Sequence, residues 1–309
     1  MSSKTTTNRP PHTVDFAFGG LDESLTNLEK AHAVILPVPY DGTVSYMSGA
    51  RLGPRAIITA SQSMELYDEE LGAFYEAGIH TLPDLEVVAD PKLMVDRVQE
   101  AVEWGLDLDK MVITLGGEHS ITTGPVRAYA KKYPKLSVLH FDAHGDLRAE
   151  FHGTPYSHAC VMRRVREIVP AVQVGIRSIS EEEAELIAEK KWPVFSARKT
   201  RSMKGEYAQI VDALTEDVYI TVDLDCFDPA TVPGVGTPEP GGLDWYELTE
   251  IVAQVARKKR IVGFDIMELM PLGGNIRSDF LASRLTYRMW GWSLVSQGKL
   301  DPPDPNRPL

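Results

Sequence analysis

The chain has 309 residues, of which 43% are hydrophobic and 25% charged, a composition typical of soluble globular proteins. It carries 32 basic and 44 acidic residues, and the net charge of −12 argues against a nucleic acid or an anionic membrane as a partner. No stretch approaches the roughly 20 apolar residues that span a bilayer. The polar N-terminus lacks the apolar segment of a signal peptide, so we expect a cytoplasmic location.

The two cysteines, Cys160 and Cys226, are too few for a disulfide framework, and we expect them to be small buried side chains. No low-complexity linker or internal repeat divides the chain. We therefore expect one domain over residues 1–309, with a flexible arm at residues 1–12 and a proline-rich tail at 300–309.

Short apolar runs alternate with longer segments of helical periodicity. The clearest runs predict strands at Ala33–Val38, Met111–Leu115, Ser137–Phe141, Val172–Ile176, Val218–Val222 and Ile261–Ile266, and weaker runs predict strands near Thr81–Val88 and Pro193–Ser196. Helices are predicted at Lys92–Trp104, Ser180–Lys190, Asp244–Lys258 and Leu281–Val295. Strands that are apolar on both faces suit a buried parallel sheet. The pattern predicts an α/β fold with three α/β/α layers and about eight parallel strands.

Side chains that bind metals come directly after three of the predicted strands. Functional groups collect at the carboxyl ends of such strands, so we expect these side chains to meet. On an extended chain, alternate residues share a face, which would bring together Asp142, His144 and Asp146 and would turn Cys226 away from Asp223 and Asp225. The candidate ligands are His119, Asp142, His144, Asp146, Asp223 and Asp225, and a fourth strand leads to Glu268.

Four carboxylates and two imidazoles are more than one catalytic metal needs, and they suit two divalent ions that share ligands. The absence of thiolates from the set disfavours structural zinc. Mostly carboxylate ligands with some imidazole favour two Mn²⁺ ions, with Zn²⁺, Fe²⁺, Co²⁺ or Ni²⁺ as alternatives. Such a pair lowers the pKa of a shared water, which is typical of metal-assisted hydrolysis.

Several sequence blocks resemble the ureohydrolases, the family that includes arginase and agmatinase. The blocks are PVPYDGTVSY at 37–46, RLGPRAI at 51–57, GGEHS at 116–120, DAHGD at 142–146, DLDCFDP at 223–229, PGVGTPEPGG at 233–242 and GFDIMELMP at 263–271. They occur in order and cover essentially the whole chain. The resemblance implies an arginase-like fold and a homotrimer or homohexamer.

The resemblance also implies a role for each metal ligand. His119 and Asp146 would bind the first ion, and His144 and Asp225 the second. Asp142 and Asp223 would bridge both ions.

Two further residues would act on the substrate. Glu268 would bind the guanidinium group, because a carboxylate pairs well with a planar cation that has several N–H donors. A proton-transfer histidine is expected after the DAHGD block. His158 matches agmatinase-like members better than His152, which we interpret as a solvated loop residue.

The segment after the DAHGD block lacks the asparagine and serine pattern with which arginases recognise the amino-acid end of arginine. Its Leu147-Arg148, the later Ser157-His158-Ala159 and the stiff loop 236–242 resemble agmatinases instead. The resemblance therefore implies that agmatine and water give putrescine and urea, through attack of a metal-bridging hydroxide on the guanidinium carbon.

Three alternatives stay open. A related enzyme could act on guanidinobutyrate, guanidinopropionate, guanidine or arginine, with Arg148 as the candidate partner of a substrate carboxylate. A deacetylase on a related α/β fold would use a single zinc ion and would not need all six ligands. A non-catalytic metal-binding regulator would be expected to have lost a ligand, and none is missing.

Overall fold

A computed structural model of the protein describes residues 16–303. Eight parallel strands form one sheet, in the order β2-β1-β3-β8-β7-β4-β5-β6. The strands are β1 (Ala33–Val38), β2 (Ile79–Thr81), β3 (Met111–Gly116), β4 (Leu136–Phe141), β5 (Ala171–Ile176), β6 (Val194–Ser196), β7 (Asp217–Asp223) and β8 (Arg260–Met267). The six clear strand predictions are confirmed, as is the short strand near Pro193–Ser196. The predicted arm at residues 1–12 lies outside the described residues, and so does the tail from residue 304.

The strand predicted near Thr81–Val88 is wrong in position, because β2 ends at Thr81. Pro83 lacks an N–H and cannot donate to a neighbouring strand, so regular pairing stops there. The chain nevertheless continues along β1, where the amides of Leu82 and Leu85 donate to carbonyl groups of that strand. This segment forms an irregular edge to the sheet.

Helices connect the strands and cover both faces of the sheet. They are α1 (Glu23–Thr26), α2 (Gly53–Ser61), α3 (Pro91–Asp107), α4 (Thr123–Lys132), α5 (Val161–Arg166), α6 (Glu181–Lys190), α7 (Ala197–Ser202), α8 (Ala208–Asp212), α9 (Trp245–Lys258) and α10 (Arg277–Ser296). Capping boxes begin α6, through Ser180 and Glu183, and α9, through Asp244 and Glu247. The four predicted helices are confirmed within a few residues at each end.

Two hydrophobic cores lie on opposite faces of the sheet, which confirms the three-layer prediction. Helix α10 belongs to the core, since Trp290 and Trp292 are fully buried in it. Both cysteines are buried and unpaired, as expected. No helix within residues 16–303 is long and apolar enough to cross a membrane.

The strand order explains why the predicted ligands can meet. The strands followed by the GGEHS block, by Glu268, and by the two aspartate blocks are β3, β8, β7 and β4, and these four are consecutive neighbours in the sheet. All strands are parallel, so the four carboxyl ends lie side by side at one edge. Segments far apart in the chain therefore meet in the centre of that edge.

Candidate metal centre and substrate cavity

His119 lies in a short 3₁₀ turn after β3 and is fully buried. Its Nδ1 atom faces three carboxylates, at 3.2 Å from Asp142 Oδ2, 3.3 Å from Asp223 Oδ2 and 3.6 Å from Asp146 Oδ2. Its Nε2 atom lies 2.8 Å from Thr221 Oγ1, which orients the ring from behind. Nδ1 is buried and has no hydrogen-bond partner within residues 16–303, so a cation at this point would satisfy it.

His144 contributes a second group of ligand atoms next to the first. Its Nδ1 atom lies 3.0 Å from Asp225 Oδ2 and 3.4 Å from Asp142 Oδ1. Asp142 therefore directs one oxygen toward His119 and the other toward His144. The atoms in each of the two groups are close enough together to surround an ion, and Asp142 belongs to both groups.

The side chains converge, but not through the extended geometry that the sequence suggested. Strand β4 ends at Phe141, and Asp146 has a positive φ of 53°. Asp225 lies in a 3₁₀ turn at Leu224–Cys226, because Asp223 Oδ1 accepts a hydrogen bond from its amide. Turns thus bring these carboxylates to the centre, while Cys226 is buried in the core as expected.

The protein concentrates negative charge at this site. Burial raises the pKa values of Asp146, Asp223 and Asp225, and repulsion from neighbouring carboxylates adds to this effect. Burial lowers the pKa of His119, but Asp142 and Asp223 outweigh it and hold the value well above 6.5. Crowded buried carboxylates with imidazoles among them are the donors that divalent cations stabilise, so the residues fit a metal pair.

A cavity of about 280 Å³ opens onto this centre. Glu268 lines it and is 9% exposed. Its backbone has a positive φ of 65°, and its amide donates to Gly117 O at 2.8 Å. Glu268 Oε1 accepts a hydrogen bond from the His119 amide at 2.6 Å. These bonds hold a buried carboxylate beside the candidate metal ligands, where a guanidinium group could reach it.

His158 also lines the cavity, in a 3₁₀ turn that begins after Ser157. Its Nδ1 atom lies 3.3 Å from Thr43 Oγ1, and its Nε2 atom lies 3.3 Å from Ser45 Oγ. Burial lowers the pKa of His158 to about 4, and the nearby His144 adds to this effect, so the ring is neutral at pH 7. His152, by contrast, is exposed, as predicted for a loop residue.

Several polar residues around the site were not among the sequence predictions. One is His140, two positions before Asp142, whose Nε2 atom lies 2.8 Å from Asp142 Oδ2. Glu118 is fully buried and accepts hydrogen bonds from both the amide and the hydroxyl of Thr43 at 2.6 Å. Glu118 and Thr43 lie in the GGEHS and PVPYDGTVSY blocks, so their position in motifs was the available signal.

The residues considered for substrate specificity also reach the cavity. Arg148 lines it and packs its guanidinium over the Phe151 ring, with 5.3 Å between them. Gly236 and Thr237 of the stiff loop line it as well. Arg177 fixes that loop, because its guanidinium donates to the carbonyl groups of Glu239 and Pro240. The loop therefore forms a rigid part of the cavity rim.

Comparison with known proteins places the chain in a family. Residues 31–291 match the Arginase family. An N(1)-aminopropylagmatine ureohydrolase from Synechocystis sp. is 41% identical over 287 residues, covering 90% of this chain and 94% of that protein. The agmatinase of Pyrococcus horikoshii is 35% identical, covering 86% and 94%. The solved structure of the agmatine ureohydrolase of Thermoplasma volcanium superposes with a TM-score of 0.79 at 34% identity, covering 88% and 92%. The chain therefore belongs to the arginase family and is a ureohydrolase.

Proposed function

We propose that this ureohydrolase cleaves the guanidinium group of an ω-guanidino amine of the agmatine type, with two Mn²⁺ ions as its metals. The observation that carries the proposal is the position of Asp142, which is shared by two groups of ligand atoms in a site that also contains Glu268. Water would add to the guanidinium carbon, the C–N bond to the amine would break, and the products would be urea and a free amine.

In this proposal His119 and Asp146 would hold one ion, His144 and Asp225 would hold the other, and Asp142, which belongs to both groups of ligand atoms, would serve both ions together with Asp223, which faces His119. The ions would supply Lewis acidity and a water of lowered pKa. The support from the protein is the donor set itself, since the buried Nδ1 of His119 has no hydrogen-bond partner among the described residues and faces three carboxylates.

Glu268 would orient the substrate. One of its oxygens accepts the His119 amide, and in the described part of the chain the other forms no hydrogen bond. A guanidinium group placed there would pair with a buried carboxylate. Such a charge-assisted pair becomes stronger when its charges are shielded from water. This contact would hold the reacting carbon next to the metal ligands.

His158 would transfer the proton. Its neutral imidazole in the cavity can take up a proton from the attacking water and return it to the departing amine nitrogen. An amine leaves readily only after protonation, so this step assists the cleavage of the C–N bond.

The charge of the cavity supports a cationic substrate. Two Mn²⁺ ions would balance the charge of the four ligand carboxylates, so among the other residues that line the cavity the carboxylates of Glu183 and Glu268 stand against the guanidinium of Arg148. Agmatine carries its second charge on an amine and suits this balance. The Synechocystis relative named for N(1)-aminopropylagmatine makes that longer amine the second candidate substrate. The ω-guanidino acids need a cation for their carboxylate, and Arg148 is the cation that the cavity offers.

The test is urea release from Mn²⁺-loaded protein with agmatine, N(1)-aminopropylagmatine, arginine, 4-guanidinobutyrate, 3-guanidinopropionate and guanidine. We expect kcat/KM to be at least tenfold higher for one of the two amines than for any acid. The variant Arg148→Gln separates the alternatives, because it should leave the amines unaffected and impair an acid substrate. Preference for an acid that disappears in Arg148→Gln would contradict the proposal.

A homotrimer or homohexamer and a cytoplasmic location remain predictions from the family resemblance and from the composition. Light scattering of the purified protein would test the first, and cell fractionation would test the second. A monomer that releases urea at the full rate would contradict the predicted assembly.

A further inference from the structure

His140 is a fully buried histidine inside β4 that the proposed reaction does not use. Its Nε2 atom lies 2.8 Å from Asp142 Oδ2, and its ring is 5.1 Å from the ring of His119. Ligand atoms of His119, His140, Asp142 and Asp146 lie close enough together to hold one ion. His140 could therefore be a metal ligand itself, or it could orient Asp142.

The hydrogen bonds behind His140 distinguish these roles. Arg166 Nη2 donates to Gln173 Oε1 at 3.0 Å. A guanidinium can only donate, so the amide oxygen of Gln173 must face Arg166. The amide nitrogen then faces Gly145 O at 2.9 Å and His140 Nδ1 at 3.1 Å. Since a carbonyl oxygen can only accept, the contact with Gly145 requires the same orientation independently.

This orientation determines the tautomer of His140. The Gln173 amide donates to Nδ1, so Nδ1 must carry a lone pair, and in the neutral ring the proton lies on Nε2. That proton points at Asp142 Oδ2. Nε2 consequently has no lone pair to offer a metal, and Nδ1 uses its own on Gln173.

The sheet holds these hydrogen-bonded side chains in place. His140 and Gln173 are register partners on the adjacent parallel strands β4 and β5, so their side chains share a face. Gln173 is fully buried. Arg166 ends α5, packs over the Trp192 ring at 4.3 Å and forms no ion pair with any residue between 16 and 303. A half-buried guanidinium without a carboxylate partner has a high desolvation free energy, and its hydrogen bond to Gln173 offsets part of that cost.

We propose that Arg166, Gln173 and His140 form a positioning chain for Asp142, and that His140 is not itself a metal ligand. The positioning chain holds Asp142 at Oδ2, and on the other side the His144 amide donates to Oδ1 at 2.6 Å. Both oxygens of the shared carboxylate are thus oriented before a metal binds. The proposal rests on the metal site of the proposed function but concerns metal binding, not catalysis.

The test is Mn²⁺ binding by equilibrium dialysis, which gives both the number of ions per chain and their half-saturating concentration. His140→Gln keeps an N–H donor near the Nε2 position, and His140→Leu removes it. We expect both variants to bind two ions, His140→Gln within about threefold of the wild-type affinity and His140→Leu at least tenfold more weakly. Loss of one ion per chain in His140→Gln would identify His140 as a ligand and overturn the proposal.

Gln173 and Arg166, the outer members of the positioning chain, provide a second test if His140→Leu does not fold. Gln173→Leu should weaken Mn²⁺ binding about tenfold, and Arg166→Met should weaken it more than Arg166→Lys, which keeps a donor for Gln173. Gln254→Leu is the matched control, because Gln254 is a partly buried amide that bonds to Tyr207 and Gly205 away from the metal centre. It should lower the melting temperature without changing Mn²⁺ affinity.

The proposal would be overturned if Gln173→Leu and Arg166→Met both bind Mn²⁺ with an affinity within twofold of the wild type, provided that circular dichroism shows both variants to be folded. A wild-type protein that binds two ions and releases no urea would refute the proposed function only. The two failures are therefore distinguishable.

Discussion

Replacing Thr43 with valine removes one hydroxyl group and nearly preserves the shape of the side chain. The hydroxyl donates its only hydrogen to Glu118 Oε1 at 2.6 Å. Glu118 also accepts from the Thr43 amide and the Ser120 hydroxyl, which suits an ionised carboxylate. Thr43 Oγ1 can therefore only accept from His158, whose amide is at 3.1 Å and whose Nδ1 is at 3.3 Å.

This hydrogen-bond count places the proton of neutral His158 on Nδ1 and a lone pair on Nε2. The Ser157 hydroxyl, 3.4 Å from Nδ1, can either donate or accept and does not alter the preference. A neutral hydrogen bond contributes about 0.5–1.5 kcal/mol, and about 1.4 kcal/mol corresponds to a factor of ten. The loss should shift the tautomer equilibrium about two- to tenfold, so Thr43→Val should lower kcat by up to about tenfold, because fewer molecules hold the tautomer that accepts a proton at Nε2.

The assay is urea release across pH for the wild type, Thr43→Val and Thr43→Ser, each with its Mn²⁺ content measured. Serine restores the hydroxyl, so Thr43→Ser should approach the wild-type kcat, and KM should change little in both variants. Thr43→Val should also melt at a lower temperature, since Glu118 loses a donor. The reasoning is refuted if folded, metal-loaded Thr43→Val keeps the full kcat, or if Thr43→Ser loses as much as Thr43→Val.

Three further predictions concern other parts of the molecule. Glu268→Gln keeps an acceptor for the His119 amide but removes the charge that would pair with guanidinium, at a cost of about 1.5–3 kcal/mol. We therefore expect kcat/KM to fall at least tenfold at unchanged Mn²⁺ content. An unchanged kcat/KM would exclude this contact. Burial lowers the pKa of His32 to about 4, and Lys299 adds to this effect, so the unfolded chain binds the proton first as pH falls below about 6.5. Urea unfolding should show a stability loss toward pH 4.5, of which on the order of 2 kcal/mol is absent in His32→Gln; equal losses in both proteins would contradict this. Chelation should lower the melting temperature, and Mn²⁺ at 100 times its Kd should restore about 2.7 kcal/mol for each ion bound. A melting temperature independent of Mn²⁺ would contradict a metal centre in this crowded carboxylate site.

The sheet could be predicted because its strands are buried on both faces. Every residue of β1, β3 and β7 is buried, and their central runs are mostly apolar, a pattern that few other elements share. The edge strand β2 is only partly buried and short, so its pattern was weaker and its position was misplaced. Pro83 marked the end of regular pairing, and it was the local signal that the prediction overlooked.

The position of the candidate site could be predicted from the same pattern, whereas its geometry could not. His119, Asp142 and Asp223 each follow or end a buried strand, and the strand order makes those ends neighbours. The extended spacing assumed for the aspartates is wrong, because turns after β4 and β7 redirect the chain. Those turns depend on hydrogen bonds between the aspartates and nearby amides, such as that from Asp225 to Asp223, which alternation alone does not reveal.

The positioning chain behind Asp142 shows what a single sequence lacks and also what it contains. His140 and Gln173 interrupt apolar strands, and a buried polar side chain needs a partner. Their pairing depends on the register of β4 against β5, and a shift of one residue would send Gln173 to the opposite face. Register follows from the packing of the whole sheet, so the sequence could indicate that both residues need partners but not that they partner each other. A polar residue two positions before a strand-end carboxylate shares its side of the strand, which makes it a candidate for orienting that carboxylate.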